Sequence, residues 1–228
     1  MKRSSGDIAR VFLDPTRRFD RQHYYYAKSK LATDPLYGGV TRALAGSSLP
    51  VLDIGCGIGI LLHWLRAAGI ESAYFGTDFD ARKIQQANGA LARSGLRDAA
   101  FEVGDAARGL PAHSGHVCIL DVMQFLPDAD AQDVLLDAMI ARLAPGGKLI
   151  IRTGLNDGSL RARITVAVDR LSKLWGWMRD APRHYPELDR LQRKFAEHGL
   201  LVELTPFYGK TPFNNWLIVA SRGAGSTA

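Results

Sequence analysis

The run Val51-Leu52-Asp53-Ile54-Gly55-Cys56-Gly57-Ile58-Gly59 constrains this chain more than any other. An apolar stretch holding one acid, followed by three glycines at alternate positions, reads as a buried parallel strand that breaks into a turn and opens a helix over Ile60–Ala68. Leu61, Trp64, Leu65 and Ala68 mark the apolar face of that helix, His63 falls on its polar side, and Gly69 supplies the stop. Glycines in such a turn carry no Cβ and adopt positive φ freely, so the backbone can come close to a ligand. A small molecule is therefore expected against Gly55, Cys56, Gly57 and Gly59.

The spacing narrows which molecule. A dinucleotide site uses G-x-G-x-x-G, with the pyrophosphate on the helix N-terminus. Here the third glycine comes one residue early, and Ile60 stands where the last small residue belongs. The D-x-G-x-G-x-G form of Asp53 to Gly59 resembles motif I of the class I S-adenosylmethionine (SAM) dependent methyltransferases, whose ligand brings an amino-acid end and no phosphate to this turn. Taken alone, the motif also admits a structural glycine turn or a degenerate nucleotide site.

The following segments come in the order that resemblance implies. Ala73–Thr77 reads as a second strand ending in Asp78, followed by Phe79, Asp80 and a helix over Ala81–Arg93 with Ile84, Ala87 and Leu91 inward. Asp78 lies about twenty residues beyond the glycines, where a doubly wound fold places the acid that grips ribose hydroxyls. Asp80 competes for that role but also suits the helix N-cap. Ala99–Val103 is a third strand closed by Gly104-Asp105-Ala106, and the resemblance implies that Asp105, with Ala106, meets the adenine end. His116–Leu120 is the fourth strand, leading to Asp121-Val122-Met123-Gln124. Asp130 is read as the cap of a helix with Leu136, Met139, Ile140 and Leu143 on one face. Ala144-Pro145-Gly146-Gly147 stops that helix before a fifth strand, Lys148–Arg152, and this passage is similar to the later motifs of the same family.

The fold expected is α/β: a Rossmann-like, doubly wound, seven-stranded and mostly parallel sheet with a C-terminal antiparallel strand and helices on both faces. The 228 residues suit one domain of this kind, at 50–222. Residues 1–49 form a helical cap over the cofactor site, a cover insertion lies around 156–185, and 223–228 is a disordered tail. Within the cap, Tyr24, Tyr25 and Tyr26 cannot all face one side of a helix. A tyrosine here, taken as Tyr25, together with Lys28 or Lys30 would cover the methionine end, the lysine pairing with its carboxylate. An ordinary packing helix with a solvated charged face accounts for the segment equally well.

Ser159–Arg179 has the pattern of a basic amphipathic helix, with Ile164, Val168, Leu171, Trp175 and Met178 along one face. It suits packing on the sheet, covering an apolar substrate, or lying on a membrane surface. Pro186–His198 reads as a helix, and Leu200–Phe207 with Asn214–Ser221 as a closing antiparallel pair. Arg18-Phe19-Asp20, Lys30-Leu31 and Asp34-Pro35-Leu36-Tyr37, with the basic helix, resemble small methyltransferases of bacterial aryl-polyene and polyketide-like pathways.

Hydrophobic content of 46% and charged content of 23% are those of an ordinary soluble globular chain. Cys56 and Cys118 suit neither a disulfide framework nor a zinc site, and no metal is expected. No signal-peptide pattern opens the sequence, which points to the cytoplasm, with peripheral membrane attachment as an extension of the basic helix. The net charge of +6 permits an acidic partner: an acyl carrier protein, an anionic membrane surface or, less favoured, nucleic acid. Oligomeric state is not readable.

Ligands of open parallel sheets bind beyond the strands' carboxyl ends. His113 and His116 lie at the opposite end of strand four, and His198 ends a helix. His184, in Arg183-His184-Tyr185-Pro186, is placed at the ligand end, as is Asp121. His184 is the first candidate for a general base and Asp121 the second, with Asp121 also a cofactor candidate. The resemblance implies a SAM-dependent methyltransferase. No Asn/Asp-Pro-Pro-aromatic run follows strand four, and no Cys beside a Pro suits cytosine chemistry. A small-molecule, lipid-like or carrier-bound acceptor methylated on oxygen or carbon is expected. An RNA methyltransferase and a non-catalytic SAM-binding scaffold partner are the alternatives.

Overall fold

The computed structural model describes residues 4–16, 21–162, 182–208 and 214–222. Its strands are β1 (Val51–Ile54), β2 (Tyr74–Asp78), β3 (Ala99–Val103), β4 (His116–Leu120), β5 (Lys148–Gly154), β6 (Leu200–Pro206) and β7 (Asn215–Arg222). They form one seven-stranded sheet in the order β3-β2-β1-β4-β5-β7-β6. This is the mixed, mostly parallel sheet of the Rossmann-like class that the motif order implied. The chain divides into two compact units, Met1–Ala106 and Ala107–Ala228.

In the first unit β1, β2 and β3 are parallel, in a register that sets Asp53, Gly76 and Phe101 side by side. Every residue of β1 is buried, as a central parallel strand covered on both faces requires. The helices are α1 (Ser5–Ala9), α2 (Gln22–Thr33), α3 (Leu36–Leu44), α4 (Ile60–Ala67) and α5 (Ala81–Ser94), with a 3-10 turn at Arg10–Phe12. Asp80 is the N-cap of α5, accepting from the Arg82 amide, and Gly95 at φ 64° ends it. Ala90 takes the inner place expected of Leu91. In α2 only Ala27 and Leu31 are buried, and Tyr25 and Tyr26 are exposed.

α4 corrects one expectation. His63 is not on a polar side: it is 5% exposed, with its ring edge-on to Phe12 at 5.3 Å. The 3-10 turn covers a face of α4 that the helical pattern alone leaves to solvent. Burial, with the charges of Arg93 and Arg66 behind it, pushes the imidazole down to about 4.

In the second unit β4 and β5 are parallel, and β7 runs antiparallel to both β5 and β6. β5 continues past Arg152 because Thr153 and Gly154 still pair with Trp216 and Asn215. Its helices include α6 (Ala129–Ile140) and α7 (Leu188–Glu197). The cap of α6 is Asp128, not Asp130: Asp128 has extended backbone and its carboxylate accepts from the Ala131 amide at 2.8 Å. Asp130 lies in the first turn and pairs with Arg190 at 2.6 Å. Arg190 also meets Asp133, while Lys194 and His198 both reach Asp137, so α7 is tied to α6 along its length.

Of the amphipathic pattern at 159–179, Leu160–Ala162 is helical and 163–179 lies outside the described residues. The same holds for Arg18-Phe19-Asp20 and the tail 223–228. Among the described residues no helix is long and apolar enough to cross a membrane.

Candidate functional site

The glycine turn is built as its spacing demands. Gly55, Gly57 and Gly59 have φ of 73°, 59° and 81°, all in the left-handed region. The amides of Gly55 and Cys56 both donate to the carbonyl of Thr77, and Gly59 donates back to Cys56. The three glycines have different surroundings. A Cβ at Gly59 would stand 2.6 Å from Phe101 Cζ, whereas a Cβ at Gly57 would meet nothing within 4 Å. Gly59 therefore lets the helix start pack on β3, and Gly57 leaves the turn open above it.

Asp78 joins this turn to the end of β2. Its Oδ2 accepts from the Gly57 amide at 3.0 Å and its Oδ1 from the Asp80 amide at 2.9 Å. Each carboxylate oxygen carries two lone pairs, so one acceptor position on each remains for a vicinal diol. Gly104, after β3, donates to the Asp78 carbonyl. The ends of β1, β2 and β3 are thus linked through Asp78. Lys83 Nζ lies 3.8 Å from Asp78 Oδ2 and 5.7 Å from the Phe79 ring centroid, and Phe79 is 66% exposed.

Asp53 is buried at 2% exposure. Its Oδ2 accepts a hydrogen bond from the Tyr74 hydroxyl, and its Oδ1 has no hydrogen-bond partner among the described residues. Burial pushes this carboxyl up to about 7, the Tyr74 bond works against that rise, and the Asp78 charge adds to it. Burial, together with the carboxylates of Asp53 and Asp78, also raises the Cys56 thiol, which therefore stays neutral.

The other candidates of this unit are Asp105, Ala106, Tyr25 and Lys30. Asp105 is exposed and Ala106 half-buried at the end of β3. Lys30 reaches Asp34 at 3.3 Å on its own helix. Tyr25 stacks edge-on with Tyr24 at 5.1 Å, and Lys28 Nζ lies over the Tyr24 ring.

In the second unit Asp121 follows β4 with φ 62°, its Oδ1 paired with Arg152 Nε at 2.9 Å. His184 sits in a segment anchored by main-chain bonds. Its amide and that of Arg183 donate to the Gln124 carbonyl, and its own carbonyl accepts from Gln132 Nε2 at 2.9 Å. Tyr185 lies against Gly154, where a Cβ would stand 2.8 Å from its ring. His184 Nε2 is buried without a partner among the described residues.

Four residues here carry no motif in the sequence: Tyr74, Gly76, Phe101 and Gln132. Strand parity could have found Tyr74, because residues 74, 76 and 78 share a face of β2 and that face ends in Asp78. Gln132 shows no such signal, since both its partners, Met123 and His184, are fixed by tertiary packing.

The family model described as a methyltransferase domain matches residues 23–204. Comparison with curated protein sequences finds no match. Among solved structures, the magnesium protoporphyrin IX methyltransferase of Synechocystis PCC 6803, with S-adenosylhomocysteine bound, is 16% identical; the alignment covers 94% of this chain and 92% of that one at a TM-score of 0.63. An O-methyltransferase family protein of Burkholderia thailandensis is 19% identical over 94% of this chain and 62% of that one, with a TM-score of 0.67. A protein solved in work on thioacetal formation in echinomycin biosynthesis is 23% identical over 86% and 83%, with a TM-score of 0.61. The chain belongs to the methyltransferase domain family and is a class I SAM-dependent methyltransferase. The open glycine turn, the spare acceptor positions of Asp78 and the unpartnered Oδ1 of Asp53 fit a ligand with a diol and an ammonium.

Proposed function

We propose that this methyltransferase acts on a small-molecule, lipid-like or carrier-bound acceptor, at oxygen or carbon, with His184 as general base. SAM, when bound, supplies a methyl group already activated on sulfonium, so the protein's task is alignment and, for a hydroxyl acceptor, removal of a proton. Alignment is worth roughly 7–11 kcal/mol and a positioned base a further ~10²–10⁴ in rate.

The cofactor is assigned to Asp53, Gly55, Cys56, Gly57, Gly59, Asp78, Phe79, Asp105, Ala106 and Asp121. Tyr25 and Lys30, on the helical cap of residues 1–49, cover its methionine end. Asp78 takes the ribose diol and Asp53 the ammonium. The observation that carries the acceptor side is His184 Nε2, a buried nitrogen without a partner among the described residues, in a segment held by main-chain bonds. That nitrogen accepts the proton of an acceptor hydroxyl. Asp121 is the second candidate for the base, its carboxylate engaged by Arg152. Among the similar structures, one is a magnesium protoporphyrin IX methyltransferase and one was solved in work on echinomycin biosynthesis, and these likenesses support a small acceptor here.

Incubation with methyl-labelled SAM and fractionated cell extract, followed by mass spectrometry, tests this reading. Label in the small-molecule, lipid or carrier fraction supports it. Label confined to RNA, or SAM binding with no transfer to any fraction, overturns it in favour of an RNA enzyme or a scaffold partner. In the same assay His184→Ala should lower turnover by about 10²-fold or more and leave cofactor affinity intact.

A further inference from the structure

We propose that Tyr74 is a positioning residue of the cofactor site, acting through Asp53: its hydroxyl takes Oδ2 and turns the carboxylate so that Oδ1 receives the ammonium of the methionine end. The proposal rests on the assignment of Asp53 to the cofactor.

Three observations carry it. Tyr74 and Asp53 are both buried, at 3% and 2% exposure, and their hydrogen bond crosses diagonally between β2 and β1, two residues from the Gly76 partner of Asp53. The bond is directional because Tyr74 is itself braced by Phe101, with ring centroids 5.8 Å apart in an edge-on arrangement. Phe101 lies where any Cβ at Gly76 or Gly59 would clash, so the phenol's support and the helix start of the glycine turn share one side chain. Finally, one oxygen of a deeply buried carboxylate has its hydrogen bond and the other has none among the described residues. Buried polar atoms without partners are rare, and a donor arriving with a ligand completes this one.

The groups facing Asp53 are Tyr74, Asp78 and Cys56, with Lys83 beside Asp78. Burial raises Asp53 to about 7 and the Tyr74 bond counteracts that rise. The carboxylate form receives an ammonium and the protonated form does not. Binding therefore strengthens as pH rises through the titration of Asp53, and binding on the acid side releases a proton. Removing the Tyr74 hydroxyl moves that titration upward.

Calorimetric titration with S-adenosylhomocysteine from about pH 6 to about pH 8.5, in buffers of different ionisation enthalpy, reads affinity and proton release together. Tyr74→Phe should displace the pH-dependent rise to higher pH. Affinity at the acid end then falls by about tenfold per unit of displacement, and the loss is smallest at the alkaline end, where only the orientation of the carboxylate is missing. Unchanged affinity, or a uniform loss at every pH, overturns the role of Tyr74. Asp53→Asn should weaken binding and abolish both the rise and the proton release. If Asp53→Asn binds as the wild type does, the assignment of Asp53 itself fails. If Asp53→Asn is weak and Tyr74→Phe is normal, only the role of Tyr74 fails. Tyr74→Phe added to Asp53→Asn should cause no further loss, whereas a substitution that merely loosens the fold weakens binding in that background too.

Discussion

Oδ2 of Asp78 accepts a hydrogen bond from the Gly57 amide at 3.0 Å, joining the acid at the end of β2 to the turn that follows β1. One carboxylate thereby shapes the turn and keeps acceptor capacity for a ligand. Asp78→Asn puts a donor where the Gly57 amide or the ribose needs an acceptor. It should weaken S-adenosylhomocysteine binding by about 1.5–3 kcal/mol, the range for hydrogen bonds to a charged group. Isothermal calorimetry checks this, and an unchanged affinity would remove Asp78 from the site.

Gly57 and Gly59 should separate binding from stability. Gly59→Ala combines positive φ with a Cβ 2.6 Å from Phe101, so it should destabilise the fold by about 2–4 kcal/mol. Phe101→Leu should restore part of that loss in the double variant. Gly57→Ala meets nothing within 4 Å and carries backbone strain alone, about 1 kcal/mol, but it places a methyl group in the open turn. Urea midpoints should shift strongly for the first, and cofactor affinity should fall most for the second.

Much of this arrangement can be read from residue order. β3 and β4 lie where their apolar runs place them, and the acids Asp53 and Asp78 fall near or at strand ends because a doubly wound chain repeats the same strand-to-helix step, while Asp105 follows β3 with no helix before β4. What escapes is set by contacts distant in sequence. His63 is buried because Phe12 covers it, and Asp128 rather than Asp130 caps α6 because of backbone conformation two residues earlier. Tyr74 reads as a generic strand aromatic until the register of β1 against β2 brings it to Asp53.

His63 gives stability a pH dependence. Its imidazole is pushed down to about 4 in the fold from an ordinary 6.5. Below the ordinary value the unfolded chain binds a proton that the folded chain refuses. Stability should therefore be full above that value, fall as pH drops toward 4, and level off there, a span of roughly 3 kcal/mol. His116, also lowered to about 4, adds to the same slope. His63→Leu should flatten the dependence in part, leaving the share of His116. Urea unfolding at neutral pH and near pH 4.5 measures it, and an unaltered slope would rule out His63 as a source.

Gln132 decides how firmly His184 is held. Its side-chain nitrogen, buried on α6, donates to the carbonyls of both Met123 and His184, at 3.0 and 2.9 Å, so one amide group clamps the turn after β4 to the segment before α7. Gln132→Leu keeps the volume and leaves two carbonyls without their donor. Native-state hydrogen exchange should then speed up at the Arg183 and His184 amides, which both bond the Gln124 carbonyl, by about tenfold or more for a local loss of 1–2 kcal/mol. Amides in β1 and β2 should keep their wild-type rates. Acceleration spread evenly over the chain would show that Gln132 supports the whole fold rather than the placement of the proposed base.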